Sequence, residues 1–111
     1  HNNASGTGKG EGTEVFTSKG KTKSDIVAQR IIESMQEAFP QRKFRTDTTD
    51  GDLDKEENFY VIKNTSMPAV LLEIGFFDNR ADYRWLSDPL NIDRVAKAIV
   101  NGIDIAIQEL K

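Results

Sequence analysis

The chain has 111 residues, a mass of 12.5 kDa and a net charge of -3, from 15 basic and 18 acidic residues. That length suits one domain with one core, and 37% apolar with 30% charged residues excludes a disordered segment. The acidic balance argues against a general nucleic-acid binder, no apolar run approaches the roughly 20 residues of a membrane span, and the absence of cysteine excludes disulfides and thiolate metal sites. A chain that opens on His1, without an initiator Met, reads as a piece of something longer.

Residues 1–23 are small, polar and rich in glycine, holding five of the eight glycines. Within them Thr13-Glu14-Val15-Phe16 reads as a short strand and the rest as loop. A helix follows. Thr22 or Ser24 can cap it by accepting first-turn N–H groups, and Val27, Ala28, Ile31, Ile32, Met35, Ala38 and Phe39 form one broad apolar stripe. Pro40 ends it. Residues 41–57 are highly charged, with six acids and one lysine between Asp47 and Glu57, and read as an exposed loop around Asp50-Gly51. Phe59-Tyr60-Val61-Ile62 reads as a strand. Ala69-Val70-Leu71-Leu72 is a continuous apolar run, the pattern of a central parallel strand covered on both faces.

Two helices close the chain. Asp78 can cap a short one holding Tyr83, Trp85 and Leu86. Asp88-Pro89 starts a second, with a stripe of Ile92, Val95, Ala96, Ile99, Ile103, Ala106 and Leu110. The alternation of strands and helices predicts an α/β fold.

Several familiar patterns fail on inspection. Gly20-Lys21-Thr22 resembles the end of a phosphate-binding loop, but Val15 stands where that loop needs glycine. Glycines 6 to 12 do not fit the dinucleotide-binding pattern. Asp50, Asp52 and Asp54 mimic the start of a calcium loop, but Lys55 and Val61 occupy its glycine and glutamate positions. Glu73 is more informative. A carboxylate at the end of a buried apolar strand is costly unless paired or used, and ligands of open α/β sheets bind at the carboxyl ends of strands. Partly dry surroundings there would suit general acid–base work, whereas a strand end that emerges into solvent would leave Glu73 with no such role. His1 is the only imidazole, and with no second His and no Cys it cannot by spacing alone complete a metal site.

His1-Asn2-Asn3-Ala4, followed by Gly12-Thr13-Glu14-Val15-Phe16, resembles the H-x-N-A … G-x-E-x-F/Y region of zinc-dependent N-acetylmuramoyl-L-alanine amidases. The segment from Asn64 to Asn79, with Met67-Pro68-Ala69-Val70-Leu71-Leu72-Glu73-Ile74-Gly75-Phe76 at its centre, is similar to that family's N-T-x-M-P-A-V-L-x-E-x-G-F-x-x-N segment. The resemblance covers nearly the whole chain. It implies a twisted, mostly parallel sheet flanked by helices, with residues 1–111 as the C-terminal portion of one catalytic domain. It also implies zinc as the cofactor, with His1 as one metal ligand and Glu73 as the catalytic glutamate. Asn3 and Glu14 match motif positions as supporting residues. The family's first His and its ligand Glu fall upstream of the chain, so a missing upstream fragment is an expected partner. The implied substrate is peptidoglycan or a muropeptide, in the cell envelope, periplasm or outside the cell. The competing expectation is a non-catalytic fragment or wall-binding module without a complete metal site.

Overall fold

The computed structural model describes residues 1–49 and 51–111; Asp50, at the centre of the expected charged loop and first in the calcium-like pattern, lies outside the described residues. Three short strands, β1 (Glu14–Thr17), β2 (Lys55–Glu56) and β3 (Leu71–Glu73), form one sheet in the order β2-β1-β3. Four helices accompany them: α1 (Lys23–Ala38), α2 (Tyr60–Lys63), α3 (Arg80–Leu86) and α4 (Pro89–Leu110). The α/β expectation holds. β1 pairs with β2 in parallel and with β3 antiparallel, while parallel bridges join Asn3 to Phe76 and Thr13 to Phe44. The apolar run before Glu73 thus meets β1 antiparallel on one side. The parallel pairing expected of it lies on the other, against the first residues of the chain.

The caps of α1 and α4 match their sequence signals. The Thr22 hydroxyl accepts from the Ser24 N–H at 3.1 Å, and the Asp25 carboxylate accepts from the Thr22 N–H at 2.7 Å, a reciprocal cap for α1. Asp88 caps α4 through the Leu90 N–H at 3.0 Å, with Pro89 in the first turn. α3 differs: Asn79, not Asp78, is its cap, accepting from the Asp82 N–H at 3.0 Å. Asp78 instead turns back to the glycine-rich segment and accepts from the N–H groups of Ser5 and Gly6.

α1 covers the sheet. Ala28 and Ile32 seat on Val15 of β1, and Ile31, Met35 and Phe39 join Val95 and Ala98 of α4 over Val70 and Leu72. α1 and α4 meet closely at Gly102, where a Cβ would stand 2.6 Å from the Ile31 Cα and 2.8 Å from the Arg30 carbonyl oxygen. Only glycine permits that approach. At the open end of the same contact Arg30 forks onto Glu109, at 2.6 and 2.8 Å. The apolar stripe read along α4 splits. Val95 and Ala106 are buried, but Ile92, Ala96 and Ile103 are exposed, and Ala98 and Gly102 take their places against α1.

Two further expectations are corrected. Residues 59–62 do not form a strand. Phe59 precedes the single-turn helix α2, in which Tyr60 is 82% and Val61 57% exposed and only Ile62 is buried. A four-residue apolar run carries no period that separates strand from helix. The stretch 41–57 is not simply a solvated loop. It contributes β2 and sends Arg42, Asp54 and Lys55 inward.

Asp54 is 2% exposed and accepts the Thr17 hydroxyl at 2.6 Å. Burial pushes its carboxyl up, against the hydrogen bonds from Thr17 and Asp52 and with some help from the charge of Asp25. A raised native value means that its contribution is fully present below the ordinary value of 3.8 and is lost as pH rises through the raised one. Asp54→Asn keeps an acceptor for Thr17 and removes the titration. The stability difference between the wild type and this variant should therefore move in the variant's favour from pH 3.5 to 7.5 in thermal melts. A difference that stays flat with pH would show that Asp54 does not titrate in this range.

Candidate active site

The site is built by a backbone pairing between the chain's first residues and the end of β3. The His1 backbone nitrogen donates to the Leu72 carbonyl at 3.1 Å, and the Ile74 N–H donates to the His1 carbonyl at 2.9 Å. The Asn3 N–H donates to the Gly75 carbonyl at 2.7 Å, and the Phe77 N–H to the Asn3 carbonyl at 3.0 Å. This register puts the His1 ring beside Glu73: its Nδ1 lies 2.9 and 3.0 Å from the two carboxylate oxygens. The His1 side chain is 69% exposed, that of Glu73 only 8%. One partner faces solvent while the other is drawn from it. Burial pushes the Glu73 carboxyl up, and the charge of Glu14 adds to it.

Glu14 stands directly across the β1–β3 ladder from Glu73, on the same sheet face. It is 3% exposed and three donors hold it: the Asn3 side-chain amide at 2.9 Å, Arg45 at 3.1 Å and Lys55 at 2.9 Å. A buried carboxylate needs such partners. The structure therefore brings together all four sequence-predicted residues, His1, Asn3, Glu14 and Glu73. It adds two that the sequence reading missed, Arg45 and Lys55. A glutamate next to Val15 and Phe16 in a strand signals that cations must come to it, but nothing in the sequence says which of the many lysines and arginines do.

Behind the pair lies a buried ionic knot. Arg42 donates to Asp82 at 2.6 Å, to the Ile74 carbonyl at 3.0 Å and to the Thr13 hydroxyl at 3.2 Å, with its guanidinium 4.1 Å from the centre of the Trp85 ring. Asp82 also accepts from the Gly12 and Phe76 N–H groups, each at 2.9 Å. Gly12 sits at φ +110°, where a side chain would meet the Lys43 carbonyl at 2.8 Å. The knot thereby fixes where β1 begins relative to where β3 ends, which is the separation of Glu14 from Glu73. A cleft of about 480 Å³ opens on its far side, between the end of α1 and α3. It includes neither His1 nor Glu73, and its two arginines, Arg42 and Arg94, are already bound to Asp82 and to the Ala38 carbonyl.

A catalytic zinc takes three protein ligands and a water. His1 and Glu73 place an imidazole next to a carboxylate, but no group of three His, Cys, Asp or Glu side chains suited to a metal stands together among the described residues. The residues present thus fit one side of such a site, not the whole of it. No helix among the described residues is long and apolar enough to cross a membrane.

Residues 1–105 match the family model described as N-acetylmuramoyl-L-alanine amidase. An uncharacterized cell wall amidase of Bacillus anthracis is 34% identical over 86% of this chain and 18% of its own length. A probable cell wall amidase LytH of Staphylococcus epidermidis is 31% identical over 93% of this chain and 32% of its own. Among solved structures, the catalytic domain of CwlV, an N-acetylmuramoyl-L-alanine amidase from Bacillus (Paenibacillus) polymyxa, superposes with a TM-score of 0.81 at 30% identity. That match covers 97% of this chain and 55% of the CwlV chain. The CwlD amidase of Clostridioides difficile, solved with the GerS lipoprotein, gives 0.78 at 28% identity, over 97% of this chain and 52% of its own. The chain spans a third or less of these curated relatives and about half of the solved chains.

Proposed function

The chain belongs to the N-acetylmuramoyl-L-alanine amidase family, and on that premise we propose that it is the C-terminal part of a zinc-dependent catalytic domain. The reaction is hydrolysis of the amide between N-acetylmuramic acid and L-alanine in peptidoglycan or a muropeptide, in the cell envelope, periplasm or outside the cell. The observation that carries this reading is the exposed imidazole held against a buried carboxylate at the end of β3. His1 would give one ring nitrogen to zinc, and the remaining ligands would come from residues outside this chain. Bound zinc lowers the pKa of a water to about 7 and polarises the amide carbonyl. Glu73 takes the proton of the attacking water as its oxygen bonds to the carbonyl carbon. It then delivers a proton to the leaving nitrogen as the C–N bond breaks. Burial raises its carboxyl, which suits it to both transfers.

Asn3 and Glu14 act as positioning residues. Asn3 bonds the Gly75 and Phe77 backbone and reaches Glu14 with its side chain, so the two hold the strand that carries His1. Arg45 and Lys55 hold the Glu14 carboxylate in place.

The incomplete donor set favours a second statement about the chain by itself: as a separate polypeptide it does not turn over substrate. Incubated with purified muropeptide, the chain alone should release no new L-alanine amino terminus. A domain in which it is joined to the missing ligand-bearing half should release it, lose the activity to a zinc chelator and regain it with added zinc. Robust hydrolysis by the chain alone, or a completed domain indifferent to chelation, would overturn the zinc reading.

A further inference from the structure

The arginines of the chain differ in how much of each guanidinium is already bonded. Arg30 places Nε and both Nη groups on Glu109 and Glu33. Arg42 places its three nitrogens on Thr13, Asp82 and the Ile74 carbonyl. Arg45 uses only Nε, on the Glu14 carboxylate at 3.1 Å, and among the described residues its two Nη groups have no partner. The group is nevertheless fixed. The Arg45 N–H donates to the Thr13 carbonyl at 2.8 Å, and the guanidinium lies 5.1 Å from the centre of the buried Phe76 ring. The Arg45 side chain is 34% exposed. Lys55 reaches the same Glu14 oxygen at 2.9 Å, so two cations meet on one carboxylate and leave a surplus of positive charge. A planar fork held at Nε and against a ring, with its outer edge unbonded, is suited to take a carboxylate by two parallel hydrogen bonds.

We propose that Arg45 is a specificity-determining residue that binds a free carboxylate on the peptide stem of the substrate. This inference deepens the reading above and rests on it for the identity of the ligand. The second residue of the stem is a D-glutamate joined onward through its γ-carboxyl, which leaves its α-carboxyl free or amidated. The sheet sets the reach. Arg45 belongs to the segment that pairs with Thr13, on the side of β1 away from β3. Neighbouring strands stand about 4.8 Å apart, so its backbone is about 10 Å from that of Glu73 across the sheet. Its side chain leans back onto Glu14, between the two. A stem extended from an amide at Glu73 advances about 3.5 Å per residue, so its second residue comes about 7 Å along, at the guanidinium. A carboxylate there bonds both Nη groups and offsets the surplus charge. A carboxamide offers one oxygen and turns a second donor toward a donor. The contact is remote from the reacting atoms, so it tightens substrate and transition state alike and acts on KM.

Binding is read first, on the chain itself and without metal, by nuclear magnetic resonance titration with L-alanyl-γ-D-glutamyl-L-lysine and with its α-amidated form. The acid form should bind about tenfold more tightly, the scale of a hydrogen bond to a charged group. Arg45→Gln should erase that ratio. Lys55→Gln removes the other cation from the same Glu14 oxygen and should change both forms alike, leaving the ratio in place. Arg45→Lys keeps a cation for Glu14 where the glutamine variant does not fold, and its single ammonium should lose most of the ratio too. The second readout is kinetic. In the completed domain, Arg45→Gln should raise KM about tenfold for a muropeptide with the free α-carboxyl and leave KM for the amidated one unchanged. A residue that only held Glu14 would move both muropeptides alike. Equal binding of the two tripeptides, binding of neither, or a ratio that both Arg45 variants leave intact overturns the proposal. So does a ratio that Lys55→Gln abolishes, because a general positive field would then be the cause. Selective binding through Arg45 in a domain that hydrolyses neither muropeptide sinks the catalytic reading and leaves the subsite standing.

Discussion

Arg42→Ala is expected to lower the unfolding free energy by about 3–5 kcal/mol, the cost of removing one partner from a buried ion pair. The Arg42 and Asp82 side chains are 7% and 0% exposed, so water cannot replace the guanidinium. Burial alone would push the Asp82 carboxyl up. Arg42, with the Phe76 and Gly12 N–H groups, outweighs burial and holds it below its ordinary value. Without Arg42 that balance reverses. A lowered native value contributes stability above the unfolded pKa and loses it as pH falls through the native one. The deficit of the variant should therefore be largest near neutral pH and shrink in acid. Urea unfolding at pH 7 and at pH 3, below the ordinary value of 3.8, reads both effects. Typical domains have about 5–15 kcal/mol in total, so the loss is a large share of what holds the fold. A loss below about 1 kcal/mol, the range of exposed pairs, would show that the knot does not organise the sheet.

Glu73→Gln is expected to behave in the opposite way, with stability kept and activity lost. Glutamine preserves volume and an oxygen beside His1, and it removes a carboxyl that burial already disfavours as an anion. The unfolding midpoint should stay or rise. In a completed domain, hydrolysis should fall by about 10²–10⁴-fold, the range of a lost general acid–base group, with zinc content unchanged. Muropeptide turnover alongside metal analysis separates this from loss of the site. Full activity would remove Glu73 from the mechanism.

Much of this was legible in the chain. α1 and α4 announce themselves by period and caps, because their apolar faces repeat over several turns and Thr22, Asp88 and Pro89 mark the starts. Glu73 stood out because a carboxylate ending an apolar run is expensive. The part that stayed hidden is the inward set of Arg42, Arg45, Asp54 and Lys55. Each lies in a stretch that reads as solvated, and each is paired with a residue far away in sequence. Local pattern shows that a charge exists, whereas only tertiary structure says that it has a distant partner in the fold. The unused stripe of α4 misled in another way. Periodicity reports which faces are apolar, not which are already covered.

The pairing of His1 with Glu73 closes nearly two-thirds of the chain into one loop. Loop closure costs entropy that no local contact repays, and contacts of high sequence separation form late in folding. The contact of α1 with α4 spans as much, since Arg30 and Glu109 lie 79 residues apart against 72 for His1 and Glu73. A nascent or partly folded chain therefore has its carboxylate and its imidazole far apart. The two meet only when the long-range contacts of the fold form, so the placement of this pair is set by topology and not by local structure.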